Sequence, residues 1–260
     1  MDGKALDKGT KRYKMVIDYS VRFGGRKRKT ASNGGLSIFG EITLKTNVYI
    51  DGFNLYRGRL KGTPYRWLDL GAFCPALFPH LTINRIRYFT AAVMAFSHDP
   101  QAPARQDVYL RALGTIPNLT VHKEGWFASY SALLPQFPLA HHRGLSQRPN
   151  CVQILKNEEK RTDVDLATYL LMDCFSDDFD GAVVISNDAD LVLPIEMVKT
   201  KFGKQIGVIN PHRKGKMSGH LARAASYHRR SINNSVLARC QFPPTLIDPQ
   251  GRSITKPASW

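Results

Sequence analysis

Two acids, Asp188 and Asp190, follow closely on the apolar run Val183-Val184-Ile185, and a third, Asp51, closes the run Val48-Tyr49-Ile50. Carboxylates at the exits of buried strands destabilise a fold unless a cation or hydrogen-bond donors neutralise them. A fourth, Asp163, opens a helical stretch over 162–174. At about 100° per residue, Ala167, Leu170 and Cys174 fall within about 40° of Asp163, whereas Asp165 lies on the opposite side. Asp163 is thus expected toward the core or the sheet rim, and Asp165 toward solvent. Capping remains an alternative for each acid: Asp188 and Asp190 could cap the next helix, and Asp163 could bond its own helix amides. If Asp51, Asp163, Asp188 and Asp190 converge, they cannot all stay ionised without cations. Two unit charges about 4 Å apart repel by about 1 kcal/mol even in water, and more in a cleft. An all-oxygen set favours Mg²⁺ or Mn²⁺, with which it could activate water and stabilise the leaving oxygen of a phosphodiester. Asn54 and Ser186, neutral and adjacent in sequence, could orient ligands or water, or only serve local turns.

Positioning these groups requires strands that end at one rim. Residues 47–51, 85–93, 119–122, 181–186 and 205–210 read as strands, the last ended by Pro211. Residues 68–81, 102–113, 162–174 and 189–201 read as helices, with Pro103 tolerated in a first turn. Strands alternating with helices of this length predict an α/β fold, a three-layer α/β/α arrangement around a mainly parallel sheet. In such sheets ligands bind beyond the carboxyl ends of the strands, where Asp51 and Asp188 lie. Residues 1–44 are glycine-interrupted and basic, and read as a disordered extension. The domain is expected over 45–230. Within it, residues 125–155, with three prolines and His141-His142-Arg143, read as a long loop or insertion. Residues 231–260, again proline-rich, read as an extended tail.

Lys and Arg number 37 against 21 Asp and Glu in 260 residues, a formal net charge of +16. Residues 45–260 alone hold 27 basic and 17 acidic side chains. Such a field favours polyanions, nucleic acid first among them. The loop Asn210-Pro-His212-Arg213-Lys214-Gly-Lys216 follows a strand, so His212, Arg213, Lys214 and Lys216 could contact phosphates or simply be solvated. Lys160 could pair with Asp163 or with a phosphate. Phe53, Tyr56 and Trp67 could stack bases, with core packing the plainer reading. No apolar run approaches a membrane span of about 20 residues. The four cysteines show no metal-ligand spacing, which fits a reducing cytoplasm. Dinucleotide-binding, Walker-type, HExxH and GxSxG patterns are absent.

Three segments together resemble the motifs of NYN domains, of the PIN-like nuclease superfamily, with the bacterial LabA/DUF88 branch most similar. They are Tyr49-Ile-Asp51-Gly-Phe-Asn54-Leu-Tyr56, Lys160-Arg-Thr-Asp163-Val, and Val184-Ile-Ser186-Asn-Asp188-Ala-Asp190-Leu. The resemblance spans roughly residues 45–230. It implies a PIN-like fold and metal-dependent ribonuclease chemistry on single-stranded RNA. Asp51, Asp163, Asp188 and Asp190 would hold the metal, Asn54 and Ser186 would support them, and Lys160, Arg161, His212, Arg213, Lys214 and Lys216 would face the nucleic acid. Arg161 departs from the pattern, since many relatives carry glycine there. The alternative of another class is an RNA-binding or regulatory module whose acidic site is vestigial. A phosphatase on a similar sheet is weaker, because neither strand-end acid sits in a DxDxT pattern. Nothing in the chain sets an oligomeric state.

Overall fold

β-branched and aromatic runs alternate with amphipathic helices from residue 45 onward, and the chain follows that pattern closely. The structure is a computed structural model in which residues 44–135, 151–213 and 215–260 are described. The first half of the chain contains β1 (Lys45–Asp51), α1 (Gly52–Leu55), a π-helical turn (Tyr56–Leu60), α2 (Leu70–Leu77), β2 (Thr82–Ala91), α3 (Ala102–Leu113) and β3 (Leu119–Pro135). Then come β4 (Cys151–Lys160), α4 (Thr162–Phe175), β5 (Gly181–Ile185), a 3₁₀ turn (Ala189–Leu191), α5 (Val192–Thr200) and β6 (Gln205–Ile209). The last elements are α6 (Gly219–Ala224), β7 (Tyr227–Arg229), α7 (Asn234–Arg239), β8 (Thr245–Ile247) and β9 (Ser253–Thr255).

Seven strands form one sheet in the order β4-β3-β2-β1-β5-β6-β7. Every pairing is parallel except that of β4 with β3. The chain winds outward from β1 through β2 and β3 on one side and through β5, β6 and β7 on the other. The crevice beyond the ends of β1 and β5 is therefore the topological switch point, where open sheets of this kind bind ligands.

The pleat decides which side of the sheet each residue serves. Val48 and Ile50 join Val183, Ile185 and Ile209 in a core covered by α2, α3 and α7. Tyr49, Val184 and Val208 join the opposite core, covered by α4, α5 and α6. Asp51, two residues beyond Tyr49, continues on the α4–α5 side. Each fully buried Leu or Ile in these cores contributes about 1.5–3 kcal/mol. Gly52 is required by close approach: a Cβ there would meet the Tyr88 ring at 2.6 Å and the Phe89 carbonyl at 2.7 Å.

The structure revises several expectations. Residues 125–135 and 151–155 are not loop. They belong to a long antiparallel arm, with Trp126 opposite Lys160 and Pro135 opposite Cys151. Both faces of this arm are largely exposed, so it lacks the period-two signal of a half-buried strand. β6 is not the last strand, because the short Tyr227–Arg229 segment pairs beyond it. The tail is not simply extended. It forms α7 and the β8–β9 hairpin, and Leu237, Phe242 and Ile254 join the core. Its prolines flank these elements without breaking them. The anticipated helix at 189–201 begins as a 3₁₀ turn before α5. Residues 1–43, His141-His142-Arg143 and Lys214 lie outside the described residues. Among those described, no helix is long and apolar enough to cross a membrane.

Candidate metal centre at the sheet switch point

Asp51 ends β1 and caps the turn that follows. The Asn54 backbone N–H donates to its Oδ1 at 2.8 Å, while Asn54 Nδ2 at 2.7 Å and Ser186 Oγ at 2.9 Å donate to Oδ2. Ser186 in turn accepts the Asp188 N–H at 3.1 Å, so the exits of β1 and β5 are tied together. Burial pushes the Asp51 carboxyl above its ordinary value and the Asp188 charge adds to this, although the three donors oppose it. Asp188 also caps its own turn, accepting the Asp190 N–H at 3.0 Å. The capping alternative thus holds for Asp188, and Asp51 is a cap as well, without consuming all of their oxygens.

Asp163 stands in the first turn of α4, half-buried. Burial first, then the charges of Asp51, Asp188, Glu159 and Asp190, push its carboxyl up to about 7. Asp51, Asp163 and Asp188 line one cavity of about 410 Å³ together with Asn54, Glu158, Glu159 and Lys160. Asp190 is exposed and does not line it; its charge reaches Asp163 from the shoulder. Among the described residues, none of these four aspartates forms an ion pair. Nor are any three His, Cys, Asp or Glu side chains among them drawn close enough to form a finished metal shell. An all-oxygen, uncompensated set of this kind fits a hard divalent ion held partly through water, as Mg²⁺ and Mn²⁺ are.

The basic residues divide. Lys160 does not pair with Asp163; its Nζ lies 2.7 Å from Glu158. Glu158 is held down to about 2 by hydrogen bonds from Lys156 and Lys160. Arg161 lies 3.0 Å from Asp165, which leaves the Asp165 side chain only 15% exposed instead of solvent-facing. Arg161 also has φ +84°, in the left-handed region that favours glycine. His212 is half-buried, and its ring Nε2 lies 3.1 Å from Asn54 Oδ1. Asn54 Nδ2 donates to Asp51, so Oδ1 is the acceptor and the His212 proton sits on Nε2. Arg213 and Lys216 are exposed. Trp67 is core, whereas Phe53 and Tyr56 line a second cavity adjoining the first.

Four contributors were not singled out from the sequence. Glu159 accepts the Thr162 N–H at 3.1 Å and so caps α4, whose own N-cap residue, Arg161, makes no side-chain cap. Glu158 and Asn157 reach the acidic cavity from β4. Asn187 accepts the Ser218 N–H at 2.8 Å and donates to the Lys216 carbonyl at 3.2 Å, which ties those two residues to the exit of β5. Its place inside the Ser-Asn-Asp run was the available signal.

The NYN domain profile matches residues 45–232. This chain belongs to the NYN domain family. The matched range contains the strand exits at Asp51 and Asp188 and the first turn of α4. A curated relative of this NYN protein, the 6-hydroxy-3-succinoylpyridine 3-monooxygenase HspA of Pseudomonas putida (strain DSM 28022 / S16), is 30% identical over 241 residues. That alignment spans 84% of this chain and 75% of the relative. Among solved structures, a protein of unknown function from Vibrio parahaemolyticus RIMD 2210633 aligns with a TM-score of 0.44 at 17% identity, over 76% of this chain and 98% of that one.

Proposed function

We propose that this NYN protein is a metal-dependent ribonuclease that hydrolyses phosphodiester bonds of single-stranded RNA at the rim formed by β1, β5 and α4. The observation that carries the reading is that Asp51, Asp163 and Asp188 line one cavity and none has a cationic partner among the described residues. Asp51, Asp163 and Asp188 would hold Mg²⁺ or Mn²⁺, with Asp190 at the edge. Such an ion, when bound, supplies Lewis acidity and lowers the pKa of a water at the reacting phosphorus. The chain's own residues do the rest. Ser186 and Asn54 keep the Asp51 oxygens in place, and His212 holds Asn54. Lys160, which lines the cavity, together with Arg161, Arg213, Lys214 and Lys216, would steer the RNA backbone. The test is cleavage of a labelled single-stranded RNA during Mn²⁺ titration, expected to vanish with EDTA and in Asp188→Asn. Metal-dependent cleavage that survives in a purified Asp51→Asn/Asp188→Asn double variant would refute the site. Salt-sensitive RNA binding without turnover in the same titration would favour a regulatory module whose acidic site is vestigial.

A second reading has its own observation. The acids adjoin an aromatic-lined cavity, and the curated relative is named for oxidation of a hydroxylated pyridine. Oxidation of a small heteroaromatic acid would then replace RNA cleavage. Oxygen uptake with 6-hydroxy-3-succinoylpyridine and a reductant, without RNA cleavage, would favour it.

A further inference from the structure

Beside the acidic site lies a second cavity of about 400 Å³, within the range of small-ligand sites. The two share Phe53, Arg57 and Asn157. Its walls come from the turn after β1, the end of β2, the first turns of α3, the β3–β4 arm and Trp260. Two aromatic groups line it. Phe53 and Phe127 meet edge to face at 5.4 Å, and Tyr109 meets Tyr88 at 6.4 Å and Trp260 at 5.6 Å. Edge-to-face clusters of this kind present ring faces on which a planar group can pack.

The charge here is the reverse of that next door. Arg57, Lys61, Arg66 and Arg105 line the cavity against one carboxylate, Asp99, and Asp99 is already engaged by Arg105. Arg57 rests over the Phe53 ring at 5.3 Å and forms no ion pair among the described residues. Arg66 rests over Trp260 at 5.8 Å, and its Nη2 donates to the Ser259 carbonyl. Guanidinium groups held over aromatic rings keep further N–H donors with which to meet an anion.

We propose that this cavity binds a planar aromatic ring carrying an anionic group, with the ring packed among Phe53, Tyr109 and Trp260 and the anion held by Arg57 and Arg66. A mononucleotide and a free heteroaromatic acid share this chemistry. The proposal depends on neither catalytic reading, because occupancy is measured without turnover. The experiment titrates the full chain in EDTA with uridine 5′-monophosphate and with 6-hydroxynicotinate, following tryptophan fluorescence and heat. Uridine and 2-pyridone serve as uncharged counterparts. At least one anionic probe binds saturably, about tenfold or more tighter than its neutral counterpart, which corresponds to about 1.4 kcal/mol. Arg57→Gln removes that discrimination. Ala102→Trp, which fills the cavity from α3, weakens binding about tenfold with an unchanged melting curve. Preference for the nucleotide makes the cavity a base subsite of the neighbouring acids, and preference for the acid makes it a separate small-molecule site. The proposal is overturned if neither anion binds below about 10 mM, if the neutral rings bind equally well, or if both variants bind as the natural chain does.

Discussion

Helix α4 carries a carboxylate near each end, and the fold treats the two in opposite ways. Near its C-terminus, Asp173 is buried and fully partnered: Arg87 donates to both of its oxygens at 2.7 Å, and Tyr49 Oη donates at 2.7 Å. Arg87 also meets His122 Nε2 at 3.1 Å and rests over the Tyr169 ring at 4.6 Å. Burial alone would lower the Arg87 guanidinium, but the hydrogen bonds and charge of Asp173 outweigh it and hold it above its ordinary value. At the N-terminus, Asp163 has no ion-pair partner among the described residues, and the charges of Asp51, Asp188, Glu159 and Asp190 add to burial in raising its carboxyl. One end binds α4 to β1 and β2. The other leaves charge unbalanced on the same rigid element. A protein that neutralises one buried carboxylate so completely has the means to neutralise the other, and this contrast supports the proposal that Asp163 is a metal ligand.

The largest effect is expected at the paired end. Arg87→Met leaves Asp173 buried without its cation and should cost about 3–5 kcal/mol of stability by chemical denaturation. A loss under about 1 kcal/mol would erase the contrast. At the unpaired end the penalty should move from stability to activity. Asp188→Asn should lower RNA cleavage by about a hundredfold or more, given that even outer-shell changes cost ten- to a hundredfold, while its melting temperature stays the same or rises. Cation binding should stabilise this end alone. Mn²⁺ at about 100 times its Kd adds about 2.7 kcal/mol, or roughly 5 °C or more for a chain of this size. That shift should disappear in Asp51→Asn/Asp163→Asn and persist in a variant of the paired end that still folds, such as Tyr49→Phe.

Proton linkage gives a smaller effect. The Asp163 carboxyl is pushed up to about 7, against an unfolded value of about 3.9. Between those values the native chain holds a proton that the unfolded chain has released. The contribution of Asp163 to the stability of the metal-free protein should therefore be full below about pH 4 and decline as pH rises through about 7. Asp163→Asn should flatten this slope in denaturation curves taken across that range, whereas an unchanged slope would place the proton elsewhere. The smallest change is expected at Arg161. Arg161→Gly removes a left-handed conformation costing about 1 kcal/mol or more and gives up an exposed ion pair worth less than about 1 kcal/mol. A net gain of under about 1 kcal/mol, with the melting curve as the measure, would show why glycine suits this position.

Much of the fold could be read along the chain because hydrophobic period is a local property. The strand ending at Asp51, the helix from Ala102 to Leu113 and the helix opening at Thr162 follow from runs of apolar residues and their spacing. Asp163 could be placed on the inward face of its helix from geometry alone. The arm does not read as paired strands, only as a long loop or insertion, because both faces of β3 and β4 are largely exposed and neither alternates. Glu158 and Glu159 went unnoticed for the same reason: they come to the acids through cross-strand pairing, with Glu159 opposite Phe127. Lys160 and Arg161 find short-range partners, Glu158 and Asp165, which are near in sequence but become partners only when the strand and helix form.

The order of residues by itself determined that acids stand at the ends of apolar strands, that one more lies on the buried side of a helix, and that the chain is basic around them. These follow from backbone periodicity and charge, which need no knowledge of distant neighbours. The tertiary structure alone decided that β5 lies beside β1, that Arg87 meets Asp173 while Asp163 has no ion pair among the described residues, and that an aromatic, cationic cavity opens beside them. Pairings between residues so far apart in the chain depend on packing and desolvation, which local sequence does not encode.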